Sequence, residues 1–345
     1  MSPLDDGFSV DVTRRVDESD ASAWEALSTG NPFSSPRWMR FGEMVMSDCE
    51  SFHVHLRLDG KLVSRATFWR VEAEPLPLPP LVRAPVAALL RQRPLLICRA
   101  PLANWSGLVL PADPRTRDVA RDVFLKSGLR LLEEARGSYL LFDFLESPDL
   151  VWPADVTVTE VSDPGTRLDI RWDSFEDFLA DTDKRGRQHY KRVQREAEEL
   201  GLEHSLHASV VDVEEALLLI RAVEKKFRAA PNPWMRPMLE NARMAGGLWQ
   251  EVRQGGRLVG CGLLVEDNGV MLATALGLAE DVQYAYFLLV YGCLQEAIAR
   301  KINVLRLGSG AYDVKRRLGF KLEANNHTAI AAASPALKRL AKWMA

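Results

Sequence analysis

The sequence predicts a mixed α/β protein assembled from two similar halves, and three observations carry that reading. First, residues 52–58 alternate apolar with polar, turn at Asp59-Gly60-Lys61 and resume over residues 62–69, which is the pattern of a β-hairpin. Second, residues 248–252 lead through Gln254-Gly255-Gly256-Arg257 into residues 258–265 with the same order of strand, glycine turn, base and Leu-Val. Third, later phrases pair in the same order. The stretch from Trp105 through Gly107 to Asp113 matches that from Ala273 through Gly277 to Asp281. Leu132-Glu-Glu-Ala135, followed by an apolar strand, matches Leu294-Gln-Glu-Ala297, followed by residues 304–307.

Taken in order, each half reads as helix, strand hairpin, further strand, long helix and further strand. The offsets between paired markers are about 196, about 170 and about 162 residues. The first gap is the widest, and the proline-rich stretch from Glu74 through Pro94 lies between the first two markers of the first half, so an insertion at about 74–100 accounts for the excess. The expected organisation is a first domain over 1–150, a linker over 151–165 within a join from Asp149 to Gly165, and a second domain over 166–345.

The 345 residues suggest about two domains. Apolar residues make up 47% and charged residues 26%, an ordinary balance that excludes wholesale disorder and collagen-like chains. Forty-four bases against 47 acids leave a net charge of −3, so any anionic partner must be held by local patches. The first twenty residues carry neither a basic start nor an apolar run, and a cytoplasmic location is expected. The apolar stretch 81–96 is interrupted by Arg83, Arg91 and Arg93 and does not make a membrane span. Cys49, Cys98, Cys261 and Cys293 lie far apart without metal-ligand spacing and read as packed, reduced thiols. His53 and His55 share one strand face, yet no acid or thiol cluster joins them within the strand, and no metal is expected.

Chemistry is concentrated in two basic segments. The run from 184 to 195 holds six Lys and Arg residues and no acid. Tyr190, Val193, Ala197 and Leu200 form its apolar stripe, with Gly201 as the cap. Lys184, Gln188, Lys191 and Arg195 make a ridge on another face, suited to phosphates or an RNA backbone. The same charges also fit a solvated face paired with Glu196, Glu198 and Glu199. The second segment, Gly308-Ser309-Gly310-Ala311-Tyr312-Asp313-Val314-Lys315-Arg316-Arg317, follows a strand. Its glycines permit a close turn, and a lysine just past a strand end can neutralise an oxyanion or phosphate, an effect worth ~3–4 kcal/mol in a transition state. A basic surface turn with Leu318 and Phe320 packed beneath it is the plainer alternative. Trp234 and Trp249 are candidates for an acceptor pocket or for packing anchors. Asp313, Glu266 and His327 are candidate bases. No nucleophile elbow, Walker loop, zinc helix or dinucleotide fingerprint is present.

The order of elements resembles the GNAT acetyltransferase fold, a bent mixed sheet that splays between two central strands to admit an acyl donor. Gly310-Ala-Tyr312-Asp-Val-Lys315 with Leu318 and Gly319, the basic run ending at Gly201, and Asn31-Pro32-Phe33 leading to Trp38 are together similar to motifs of the Fem aminoacyltransferases, built from two GNAT-like domains. Asp313 and Val314 replace the Arg and Phe usual in that motif, and no long helical arm is evident.

This resemblance implies transfer of an aminoacyl group from charged tRNA to an amine of a small molecule or peptidoglycan precursor, with no metal and no cofactor besides the aminoacyl-tRNA. Lys315, Tyr312 and Asp313 are then the expected catalytic turn. Lys184, Arg187, Lys191, Arg195, Arg316, Arg317 and Trp234 are the expected binding residues. A conventional acyl-CoA N-acyltransferase is the first alternative, although residues 279–287 lack its glycine-rich pyrophosphate loop. A non-catalytic RNA-binding module on the same fold is the second.

Overall fold

The computed structural model describes residues 2–3, 7–16, 21–76, 80–146, 150–161, 163–335 and 337–339. The chain forms two compact units, each built on its own sheet; residues 1–162 and 324–345 make the first, and residues 163–323 the second.

In the first unit, β1 (Ser2–Pro3) and β2 (Phe8–Thr13) precede α1 (Ala21–Ser28) and α2 (Pro36–Val45). The expected hairpin then forms as β3 (Glu50–Leu58) and β4 (Lys61–Val71), with the turn at Asp59-Gly60, both in the left-handed region. Next come α3 (Pro80–Gln92), β5 (Leu95–Ala100), the short β6 (Trp105–Ser106) and β7 (Leu108–Val109), α4 (Pro114–Glu134), β8 (Tyr139–Leu145) and β9 (Thr157–Val161). A parallel pair needs a long crossover, and α4 supplies it between β5 and β8. Its buried face, including Ala120, Val123, Phe124 and Leu132, packs on the sheet residues Val54, Phe68 and Leu140.

The second unit repeats this plan. β10 (Thr166–Asp169), α5 (Phe175–Asp181), α6 (Lys184–Glu199) and β11 (Leu202–His207) lead through α7 (Val213–Lys226) and α8 (Met235–Asn241) to the hairpin of β12 (Leu248–Gln254) and β13 (Arg257–Asp267). β14 (Val270–Leu278), α9 (Ala285–Ala299), β15 (Val304–Leu307), α10 (Tyr312–Arg317) and β16 (Lys321–Leu322) complete it. The sheet order is β11-β12-β13-β14-β15-β10-β16, with β14 and β15 parallel across the α9 crossover. The paired sequence phrases fall in equivalent places. Leu132 and Leu294 are both buried on the crossover helix; Gly107 and Gly277 each leave no room for a Cβ, but Gly107 lies between β6 and β7 whereas Gly277 lies within β14.

Two domain boundaries differ from the sequence reading. The last strand, β17 (Asn326–Ala332), does not belong to the second unit; it pairs antiparallel with β8 and β9 inside the first sheet. The expected second domain of 166–345 therefore ends at Glu323. Part of the expected linker is sheet, because β9 lies within 151–165. Asp149 and Ser162 of the join lie outside the described residues, as do residues 77–79 of the proline-rich stretch. The expected insertion also narrows. β5 falls within 74–100 yet is the central strand parallel to β8, so the added material is the α3 segment before it and the excursion through β6 after it. Among the described residues, no helix is long and apolar enough to cross a membrane.

His53 and His55 are fully buried between Trp24 and the sheet. Carboxylates reach them from other elements: Glu43 lies 2.9 Å from His53 Nε2, and Asp11 lies 3.1 Å from His55 Nδ1. Arg65, also fully buried, stacks 4.0 Å above Trp24 and donates to Ser34 O. Burial pushes His53 down to about 4, so both imidazoles serve as neutral hydrogen-bonding core groups.

Because Ala329 is fully buried in β17, Ala329→Asp should destabilise the first unit by ~3 kcal/mol through burial of an unpaired carboxylate. Hydrogen exchange should accelerate in β5 and β8 and stay unchanged in β14 and β15; acceleration confined to the second unit would return β17 to the 166–345 domain.

Candidate active site

β14 and β15 pair from Val270↔Val304 to Ala273↔Leu307, and there β15 ends. β14 continues to Leu278, so residues 274–278 have no ladder partner on that side among the described residues. The strand is further bent by a bulge. The register against β13 shifts between Cys261 and Leu263, and Ala275 adopts a φ of 52°. A gap between two parallel strands thus opens at their C-terminal ends, the end of a parallel sheet where chains of this architecture take up ligands.

Two backbone features stand at that end. The chain leaves β14 and enters α9 through Tyr284, which is left-handed (φ 67°) and gives no side-chain cap to the helix. The first N–H groups of α9 therefore carry their partial positive charge without an internal acceptor from a cap side chain. The equivalent helix of the first unit is different: Asp113 caps α4, accepting from Thr116 N at 2.8 Å. The second feature is the turn after β15, where Gly310 (φ 82°) and Ala311 (φ 48°) are successive left-handed residues that swing the chain into α10.

Lys315 holds this turn from beneath. It is 5% exposed, and its Nζ donates to the carbonyls of Gly308 and Ser309. Burial pushes its pKa down to about 8, with the carboxylate of Asp163 opposing the shift. The expectation of an ammonium projecting into an open cleft is corrected in this respect, since its hydrogen bonds are directed to backbone oxygens of the turn. Tyr312 is likewise occupied, its hydroxyl lying 2.9 Å from both Asp163 Oδ1 and Pro164 O. Asp313 is 88% exposed and 3.7 Å from Arg316, so nothing in its surroundings prepares it as a buried base.

The remaining expected residues divide. Lys184 and Lys191 are exposed on the outward ridge of α6. Arg195 pairs with Glu196 at 2.9 Å and lies 3.7 Å from Glu199. Arg187 donates to the carbonyls of Ala180 and Thr182, closing the end of α5. Trp234 is 4% exposed and is a packing anchor, and Trp249, fully buried, donates from Nε1 to Glu251 at 2.8 Å. Glu266 lies at the opposite end of β13, near the Asn268-Gly269 turn, and His327 lies on β17 in the first unit. Arg316 and Arg317 border a recess of about 300 Å³ that also includes Trp172, Asp181 and Lys321.

One group escaped the sequence reading. His189, on the half-buried edge of α6, places Nδ1 2.9 Å from the Tyr291 hydroxyl, and its ring meets Phe287 edge-on at 4.7 Å. Burial lowers its pKa, and the charges of Arg192 and Arg317 lower it further. It thus feels the charges of both the basic helix and the basic turn. Tyr190 and Tyr291 pack against each other beside this contact, and Tyr190 against Phe175.

The architecture defines the class: two GNAT-like units in tandem, each a mixed sheet with helices and a parting parallel pair. Residues 184–316 match the family model described as the acetyltransferase (GNAT) domain. No curated protein matches the chain in sequence. Similar solved structures include FemX (TM-score 0.59, 8% identity, 96% of this chain and 99% of that one) and a tandem GNAT protein from the clavulanic acid biosynthesis pathway (TM-score 0.56, 12% identity, 95% and 99%). L-PGS from Bacillus licheniformis is also similar (TM-score 0.54, 11% identity, 96% and 98%).

Lys315 has a lower pKa folded than unfolded, so the folded state sheds its proton first as pH rises, and stability grows between about 8 and the ordinary lysine value. Urea unfolding followed from pH 7.5 to 10.5 should show this rise in the wild type and not in Lys315→Met. Parallel curves for the two proteins would show that Lys315 titrates as an exposed lysine.

Proposed function

We propose that the second unit is an acyltransferase domain that hands an activated acyl group to an amine, with the gap beside residues 274–278 as the donor cleft. The observation that carries this reading is the meeting, at one end of the sheet, of the parted strands, the uncapped start of α9 and the lysine-held turn.

The chemistry asks little of the protein. A neutral amine attacks the carbonyl of an ester or thioester, a tetrahedral oxyanion forms, and the C–O or C–S bond breaks as the new C–N bond is kept. The amine's excess proton leaves with the departing alcohol or thiol. Helix N–H groups and a buried positive charge stabilise the oxyanion by fixed dipoles that need no reorganisation. Lys315 acts in this account as a positioning residue. It sets the 308–311 turn and adds its field to the cleft, whereas Arg316, Arg317, Lys184 and Lys191, exposed along α10 and α6, serve phosphate.

Within that class we infer an aminoacyl-tRNA donor and an amine acceptor on a small molecule or cell-wall precursor. The Fem-like order of motifs supports this, as does the fold-level similarity to FemX. The exposed lysines of α6 suit a long polyanion better than a single pyrophosphate. Acyl-CoA is the second reading, favoured by one observation: an uncapped helix start beside an acyl cleft can accept a pyrophosphate. Incubating the protein with charged tRNA and, separately, with acyl-CoA in the presence of candidate amines distinguishes the two by which donor is consumed.

Lys315→Met should lower turnover ~100-fold with either donor. Lys184→Glu with Lys191→Glu should weaken only the tRNA reaction and flatten its salt dependence. Salt-dependent RNA binding without consumption of either donor would leave a non-catalytic binding module.

A further inference from the structure

α3 is turned inside out. Its protein-facing side holds Leu90, 5% exposed, with Val86, Ala87 and Arg83 half-buried beside it. Its outward side is apolar: Leu81 is 93% exposed, Leu89 52% and Val82 41%, with Ala84, Pro85 and Ala88 exposed among them. At 100° per residue these six side chains cover one continuous face, interrupted only by Gln92 near the C-terminal end. A surface helix of a soluble domain ordinarily shows the reverse arrangement, and grouped exposed side chains of this kind mark a contact surface.

Along the chain, the segment that carries this face has bases and no acid. No Asp or Glu occurs between Glu74 and Asp113, although the whole chain is acidic by three charges. Arg91 and Arg93 are exposed at the C-terminal end of α3, and Arg93 and Arg136 line one recess together with Glu133. A basic margin beside an apolar helical face is the combination that lies in the headgroup region of an anionic bilayer, apolar side down and guanidinium groups among the phosphates. The helix is 13 residues long, too short to span. Pro85 also removes the N–H that would bond the Leu81 carbonyl, a group that then needs water or a headgroup donor and so keeps the segment at the interface.

We propose that α3 is a membrane-surface helix through which the protein docks reversibly on an anionic lipid bilayer. The inference rests on the first unit alone and stands whether or not the donor assignment above is correct.

The test is flotation of the full chain with vesicles of phosphatidylcholine alone and of phosphatidylcholine with 30% phosphatidylglycerol, roughly the anionic surface that attracts basic segments. The wild type should float with the anionic vesicles, at least tenfold more than with neutral ones, and detach as salt rises. Leu81→Asp with Leu89→Asp should abolish flotation, and Arg91→Glu with Arg93→Glu should reduce it tenfold or more. Both pairs are exposed, and an unchanged thermal midpoint will confirm that the fold is intact. A wild type that fails to float, or a double-Asp variant that floats equally well, overturns the proposal. A dimer in sedimentation that the double-Asp variant loses, without any lipid binding, assigns the face to a second copy instead and overturns it as well.

Discussion

The early end of the β14–β15 ladder is the constraint on which the candidate site depends. Two parallel strands cannot be joined by a tight turn, so β14 must exit into a crossover helix and β15 must enter from that helix's far end. That topology alone puts the start of α9 and the segment after β15 at the same end of the sheet. Once pairing stops after Ala273↔Leu307, the backbone of residues 274–278 keeps polar groups that the sheet does not use. Such groups are costly to bury without partners. The bulge at Ala275 re-aims them.

The segment after β15 must then turn sharply while staying close to the helix. It does so through two successive left-handed residues, and Lys315 donates to the carbonyls of Gly308 and Ser309 just before them, with the Thr166 hydroxyl also reaching Gly308 O. An ammonium taken out of water loses hydration, and this is why its proton is held less tightly than usual. The turn is therefore sustained by a charge that the protein pays for, and that charge stays beside the cleft whether or not its hydrogen atoms point there. Electrostatic fields act across a few ångströms of low-dielectric protein, whereas hydrogen bonds act only in line, so a buried ammonium affects charge beyond the groups it bonds.

Much of the fold was legible because hairpins, glycine turns and crossover helices are local patterns. Asp59-Gly60 and Gly255-Gly256 announce their turns, and Leu132 and Leu294 announce buried helix faces within a few residues of sequence. The position of β17 was not legible. Residues 326–332, three polar residues followed by four apolar ones, lack the alternation of a half-buried strand, and nothing local tells a strand which of two sheets it will enter; pairing with β8 is fixed by contacts nearly 190 residues away, such as that between Thr328 and Asp143. The same limit explains the site. Charge density along α6 was visible, but whether Arg187 meets a phosphate or the end of α5 depends on the carbonyls of Ala180 and Thr182, and whether His189 matters depends on Tyr291 and Phe287 in another helix.

The two units share a plan but differ where a ligand would enter, and the differences run in one direction. In the first unit, β6 folds back on β5 where the parallel strands part, with Arg99 and Ala100 paired to it, and the crossover helix begins behind its own carboxylate, Asp113. A carboxylate bonded to the first N–H groups of α4 both consumes donors and opposes an incoming anion. In the second unit, among the described residues, the corresponding strand has no fold-back, the corresponding helix has no cap side chain, and the turn opposite carries three bases in succession from Lys315 to Arg317. The first unit thus has its helix-start N–H groups engaged by a side chain of its own, and the second does not. Free helix-start N–H groups and neighbouring positive charge favour an anion at the second unit over the first.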